Sequence, residues 1–191
     1  MTHQGLNHII RSEQPHLGGN IDHGDPWSHA PQAWRWLIDR FAIRSMMDLG
    51  SGRGHAARWF HQQGVAAIAV DGLEHNARTA VHPTVICDVS QAVIRCPVDL
   101  VMSVEMVEHV AAEHMPNLMA CLTNAPVVMI THAVPGQGGY HHVNEQPEHY
   151  WHERFAEQGY ALSVDDTEIV RRLAGLDHAR HLASHACVFV R

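Results

Sequence analysis

Met46-Met47-Asp48-Leu49-Gly50-Ser51-Gly52-Arg53-Gly54-His55 runs from a short apolar segment through an acidic residue into three alternate glycines. The apolar residues suit a buried strand, and the glycines tolerate positive φ and the close approach of a ligand to the backbone. Residues 56–63 then carry a helical pattern, closed by Gly64. Strand, glycine turn and helix in this order make a nucleotide-binding corner, and a tight turn without a ligand is the competing reading of these residues alone. A dinucleotide fingerprint begun at Gly50 needs glycine at position 55, where the chain has His55, so a nicotinamide cofactor is disfavoured.

Downstream of this corner, residues 66–70 read as a second buried strand ending at Asp71-Gly72. Asp71 lies about 20 residues past the first glycine, the spacing at which an acid accepts hydrogen bonds from ribose hydroxyls. A helix over residues 73–80 and a third strand over residues 84–87 lead to Asp88-Val89-Ser90. Residues 98–103 read as the fourth strand, with Glu105, Glu108 and His109 following its end, where parallel strands open into a ligand crevice. A helix over residues 112–123 and a fifth strand over residues 126–130 precede a long polar loop, residues 131–146, that carries His132, His141, His142 and Asn144. Loops of this length inside a compact domain are usually functional. A helix begun by Pro147 and stopped by Gly159, strands over residues 161–164 and 186–190, and a charged helix over residues 166–174 complete the chain.

Upstream, the segment 28–41 places Trp34, Leu37, Ile38 and Phe41 at helical spacing behind Pro31. Residues 1–25 are polar, rich in histidine and broken by Pro15, Gly18, Gly19 and Gly24, which predicts an irregular arm or lid on a single domain over residues 26–191. Trp27, Trp34 and Trp36 either anchor this arm on the core or wall a cavity.

The formal charge of −7, from 13 Lys and Arg against 20 Asp and Glu, gives no footprint for a nucleic acid partner. No apolar run is long enough for a membrane span, no secretory signal opens the chain, and a cytoplasmic protein is expected. The four cysteines lie far apart without a C-x-x-C pair and read as buried free thiols.

An acidic residue followed by G-x-G-x-G resembles motif I of the class I S-adenosylmethionine-dependent methyltransferases. The run Asp99-Leu100-Val101-Met102-Ser103-Val104-Glu105-Met106-Val107-Glu108-His109-Val110 resembles their motif IV region. The segment from Pro135 to Trp151 is similar to one in small bacterial and viral members. The resemblance spans residues 40–191. It implies an α/β, doubly wound, three-layer fold with a mostly parallel seven-stranded sheet and an antiparallel edge strand. It implies S-adenosylmethionine as cofactor, released as S-adenosylhomocysteine, held by Asp48, Gly50, Gly52, Gly54, Asp71, Gly72, Asp88, Val89 and Ser103, with Asp88 meeting the adenine amino group. No separate acceptor-binding cap is present, so the arm and the loop 132–145 are left to build the pocket for a small-molecule acceptor. An oxygen on a sugar-like or carboxylate acceptor is expected.

Methyl transfer to a protonated acceptor is helped by a base near neutral pKa. His109, His132, His141 and His142 are the candidates, with Glu105 and Glu108 as partners or alternative bases. A divalent metal held by these groups is a lesser alternative, and no metal ligands are assigned. The rival class of function is a catalytically silent relative acting through a protein partner. The oligomeric state is not legible.

Overall fold

The computed structural model describes residues 10–19 and 21–191. Seven strands form one sheet in the order β3-β2-β1-β4-β5-β7-β6: β1 (Ser45–Leu49), β2 (Ala66–Asp71), β3 (Thr84–Ile86), β4 (Leu100–Ser103), β5 (Val127–Ile130), β6 (Ala161–Leu162) and β7 (Cys187–Val190). The pairings β1 with β2, β1 with β4, β2 with β3 and β4 with β5 are parallel. The last strand, β7, runs antiparallel to both β5 and β6, so the antiparallel member lies one place in from the edge.

Strand residues alternate between two cores, as the two-residue period of a strand requires. Met46, Leu100, Met102, Val127, Met129 and Val188 pack with Trp34, Leu37 and Phe60 on one face. Met47, Leu49, Val101, Val128, Ile130 and Phe189 pack with Trp151 and Phe155 on the other. Both faces are therefore covered, which explains why the central strands read as unbroken apolar runs. Phe155 stacks on Phe189 at 4.0 Å between ring centroids. Truncating either ring to alanine is expected to cost about 3–5 kcal/mol.

The helices are α1 (Pro31–Phe41), α2 (His55–Gln62), α3 (Glu74–Thr79), α4 (Met115–Leu122), α5 (Glu148–Ala156), α6 (Val164–Leu176) and α7 (Arg180–His185). The first helix begins three residues later than its pattern predicts. Pro26–Ser28 form a separate turn, capped by the Asp25 carboxylate, which accepts from the Trp27 amide at 2.9 Å. Residues 112–114 form a 3-10 turn before α4, and the expected strand over residues 161–164 is reduced to two residues. The short α7 has no counterpart in the sequence reading, because only Leu182 of its six residues is buried and no period can show over that length. All four cysteines are free, with Cys121 and Cys187 buried and Cys87 and Cys96 partly so. Among the described residues no helix is long and apolar enough to cross a membrane.

Candidate active site

A cavity of about 570 Å³ opens at the carboxyl ends of the central strands. One wall is the glycine corner. Gly50, Gly52 and Gly54 all have positive φ, a conformation that side chains resist. At Gly50 the need is also spatial, since a Cβ there would run into the Met106 side chain. The Gly50 and Ser51 amides donate to the Val70 carbonyl, both at 2.9 Å, fixing the turn to the end of β2.

Three carboxylates line this wall, and each is tied to nearby backbone. Asp71 Oδ2 accepts from the Gly52 amide at 2.8 Å, while Oδ1 accepts from the Leu73 amide at 2.9 Å and from Asn76 Nδ2 at 3.0 Å. Burial raises its carboxyl above the usual range, with these hydrogen bonds acting against that shift. Burial pushes Asp48 up to about 7, opposed by the Ala57 amide and reinforced by the charge of Asp71. Burial also acts to raise Asp88, but the hydrogen bonds from Ser90 and His16 outweigh it and hold that carboxyl low. His16 belongs to the arm, and its Nε2 lies 3.1 Å from Asp88 Oδ2.

The opposite wall is built from the end of β4, the turn Val107–His109 and the loop 131–146. Glu105 has φ +51, unusual for a residue with a Cβ, and this turns its carboxylate toward α7. His181 sits between two carboxylates, with Nδ1 3.0 Å from Glu105 Oε2 and Nε2 3.1 Å from Asp25 Oδ2. Burial opposes charge on this imidazole, but the hydrogen bonds and charges of Asp25 and Glu105 override it and raise His181 to about 10. Arm, strand end and α7 are thus joined through one imidazole. Glu105 also accepts from Thr131 Oγ1 at 2.9 Å.

Beyond Glu105 the wall holds polar groups without hydrogen-bond partners among the described residues. Glu108 is fully buried, and among the described residues neither carboxyl oxygen has a hydrogen-bond partner. Burial, then the charge of Glu105, drives its carboxyl well above the usual range. His109 Nδ1 and Asn144 Nδ2 are also buried without partners. Burial, then the neighbouring His142, lowers His109 to about 4. The His109 and His142 rings meet edge to face at 5.1 Å.

Of the residues singled out in the sequence, Asp48, Gly50, Gly52, Asp71, Gly72, Asp88, Val89, Glu105, His109, His141 and His142 line the cavity. Five others do not line it, among them the buried Glu108 and Asn144. Ser103 is fully buried and donates to the Leu49 carbonyl at 2.9 Å, locking β4 to β1. Gly54 packs against His82 at the start of α2. His132 is buried between Trp151 and His185. Asp99, the first residue of the motif IV match, lies at the other end of the sheet, where it accepts from the Arg44 and Ser45 amides at 2.9 Å. Asp25 and His16, from the arm expected to help build the pocket, line the cavity, and so does His181, which was not singled out. Asp25 before Pro26 carries a recognisable capping signal, whereas nothing local marks His181.

A family model described as a methyltransferase domain matches residues 27–175, more than half of the chain. Comparison with curated protein sequences gives no significant match. Among solved structures, a sugar N-methyltransferase from Streptoalloteichus sp. has a TM-score of 0.62 at 14% identity, covering 87% of this chain and 88% of that one. A SAM-dependent methyltransferase from Archaeoglobus fulgidus has a TM-score of 0.60 at 16% identity, over 89% of this chain and 96% of that one. The magnesium protoporphyrin IX methyltransferase of Synechocystis, crystallised with bound SAH, has a TM-score of 0.59 at 13% identity, over 82% and 79%. At these identities the likeness speaks for the fold, and the matched domain speaks for the family. The chain belongs to the methyltransferase-domain family, the S-adenosylmethionine-dependent class I enzymes that its glycine corner and motif order resemble.

Proposed function

We propose that this methyltransferase moves a methyl group onto an oxygen of a polar small molecule, sugar-like or carboxylate, bound between the glycine wall and the histidine wall. The observation that carries this reading is the division of one cavity into an acid-and-glycine side and a histidine-carboxylate side. The residues present suit S-adenosylmethionine: its cationic groups meet the acid-lined wall formed by Asp48, Asp71 and Asp88. In this reading Asp71 and Gly72 hold the ribose, and Asp88 with Val89 holds the adenine. When bound, the cofactor would supply an electrophilic methyl group on its sulfonium, with the thioether of S-adenosylhomocysteine as the leaving group.

The chain then has three tasks. It aligns the acceptor, excludes water, and takes the proton that an acceptor hydroxyl must lose. Alignment falls to the loop 131–146, which Glu145 holds in place by accepting from the Gly136 amide at 2.7 Å and the Gly138 amide at 2.6 Å. Water exclusion falls to the arm, whose Leu17 lies against Gly72 and whose Gly19 lies against His109. The hydroxyl proton passes to one of the imidazoles on the histidine wall. A neighbour described as a sugar N-methyltransferase supports a sugar-sized acceptor on this fold.

The test is calorimetric titration with S-adenosylmethionine, followed by turnover on a panel of sugars and carboxylic acids read as S-adenosylhomocysteine release. Micromolar binding with release above background on one acceptor class is expected. Binding without release on any member would favour the silent relative, and absence of binding would remove the reading altogether.

A further inference from the structure

Glu108, His109 and His142 each bring one ligand-type atom, a carboxylate oxygen or a ring nitrogen, to within 4.8 Å of the other two. Two facts make this more than an accidental cluster. Among the described residues, fully buried Glu108 has neither oxygen partnered and the buried His109 Nδ1 beside it has no partner. Buried polar groups in folded proteins are normally satisfied, and each exception calls for something that satisfies it. A single cation placed between these atoms would serve both residues at once.

We propose that Glu108, His109 and His142 bind one divalent first-row transition ion of the zinc type. Protein ligands of such an ion lie about 2.0–2.2 Å from it, so any two are at most roughly 4.4 Å apart. The present spread closes with a small movement of side chains. One carboxylate with two imidazoles is a poor set for magnesium or calcium, which take oxygen ligands, and a good one for zinc and its neighbours.

The surroundings hold the three residues in register. The Glu108 carbonyl accepts from the Val143 and Asn144 amides, both at 3.0 Å, stitching the loop that carries His142 to the turn that carries Glu108 and His109. Glu145 Oε1 lies 3.3 Å from His142 Nδ1, the kind of carboxylate support that orients a coordinating imidazole. A second trio, His132, Glu148 and Cys187, is equally close together. It already contains a cation, because Arg171 donates to Glu148 at 2.6 Å and to Cys187 Sγ at 3.6 Å.

Three protein ligands leave a coordination position open, and His109 and His142 both line the cavity. An ion there would stand on the acceptor side and take an acceptor oxygen as a further ligand. That use rests on the proposed methyl transfer, whereas binding of the ion does not.

The experiment uses the full chain, stripped with chelator and titrated with cobalt(II) by visible absorption and with zinc by calorimetry, without cofactor. Wild type is expected to show one site per chain with the bands of a nitrogen- and oxygen-ligated cobalt. Glu108→Gln, nearly the same in shape, should weaken that site more than tenfold while the metal-free melting temperature stays close to wild type. His142→Ala should do the same, and Glu145→Gln should weaken it about tenfold. The chain has 19 histidines, so weak surface binding is expected and should be unchanged in all variants. If Glu108→Gln fails to fold, His142→Ala carries the test alone. Wild type, Glu108→Gln and His142→Ala binding cobalt alike would overturn the proposal. Cofactor titration in parallel separates the two readings, since a wild type that binds cofactor but shows no such metal site sinks this inference alone.

Discussion

Asp71 on the glycine wall and Glu108 on the histidine wall are buried carboxyl groups held in opposite ways. On the glycine wall, Asp71 takes three donors from its own chain and Asp88 is held by Ser90 and His16. On the histidine wall, Glu108 takes none from the described residues, and His109 and Asn144 are left with buried unpartnered nitrogens. A wall whose acids are already satisfied is set before any ligand arrives, and its residues shape the backbone as much as they bind. A wall with unsatisfied buried groups is destabilised by them and is completed by what it binds. The contrast predicts that replacing Asp71 and replacing Glu108 change stability with opposite signs.

The largest effect is expected from Asp71→Ala. Its removal strands the Gly52 and Leu73 amides, each of which costs about 1–3 kcal/mol if left buried and unpaired. A loss of about 3 kcal/mol in unfolding free energy should accompany a fall in S-adenosylmethionine affinity on the order of a hundredfold. Denaturant unfolding and calorimetry measure the two. Undiminished affinity in a folded variant would show that the glycine wall is not where the cofactor binds.

The His181 clamp joins the walls to the arm and should carry a pH signature. Asp25 and Glu105 face the imidazole directly, Glu108 and His185 act on it from further away, and Arg180 lies over the adjacent Trp27. Because the folded value is raised from 6.5 to about 10, its stabilisation is complete below pH 6.5 and is lost as pH rises through 10. Discounted for partial exposure, the loss is on the order of 2 kcal/mol. Unfolding between pH 6 and 9.5 should therefore show wild type losing its advantage over His181→Gln. Parallel curves for the two proteins would mean that the imidazole is not charged in the fold.

Glu108→Met tests the sign expected on the histidine wall. Replacing an unpartnered buried carboxyl by an apolar side chain of similar volume should stabilise the metal-free protein by about 1–2 kcal/mol, while abolishing turnover. A destabilised variant would show that the acid has a partner on which the fold depends.

The sequence disclosed the glycine wall more fully than the histidine wall for a physical reason. Gly50, Gly52 and Asp71 act through backbone conformation and strand ends, which local pattern encodes, and the alternating cores of β1, β4 and β5 follow from composition and period. Glu105 and His109 were visible as polar residues after a strand, but Glu108 being sealed from solvent is a tertiary fact. So is the meeting of His181, from a six-residue helix without period, with Asp25 from the arm. Ser103 and His132 show the converse: polar residues at strand ends that the packing turns inward, away from the cavity.

The smallest expected effect comes from the arm, and its sign is informative. His16 Nε2 holds Asp88 Oδ2 at 3.1 Å, with Ser90 Oγ at 3.5 Å, in a pair that is partly exposed on both sides. Such pairs contribute about 0.2–1 kcal/mol. If Asp88 receives the adenine amino group, the arm must surrender this hydrogen bond as the cofactor enters, so His16 and the cofactor compete for one oxygen. His16→Ala should then tighten S-adenosylmethionine binding by about two- to fivefold, since 1.4 kcal/mol corresponds to a factor of ten. Calorimetry at fixed pH and salt resolves a change of this size. Weaker binding would instead make His16 part of the closed cofactor site, and unchanged binding would mean that the adenine leaves Asp88 to the arm.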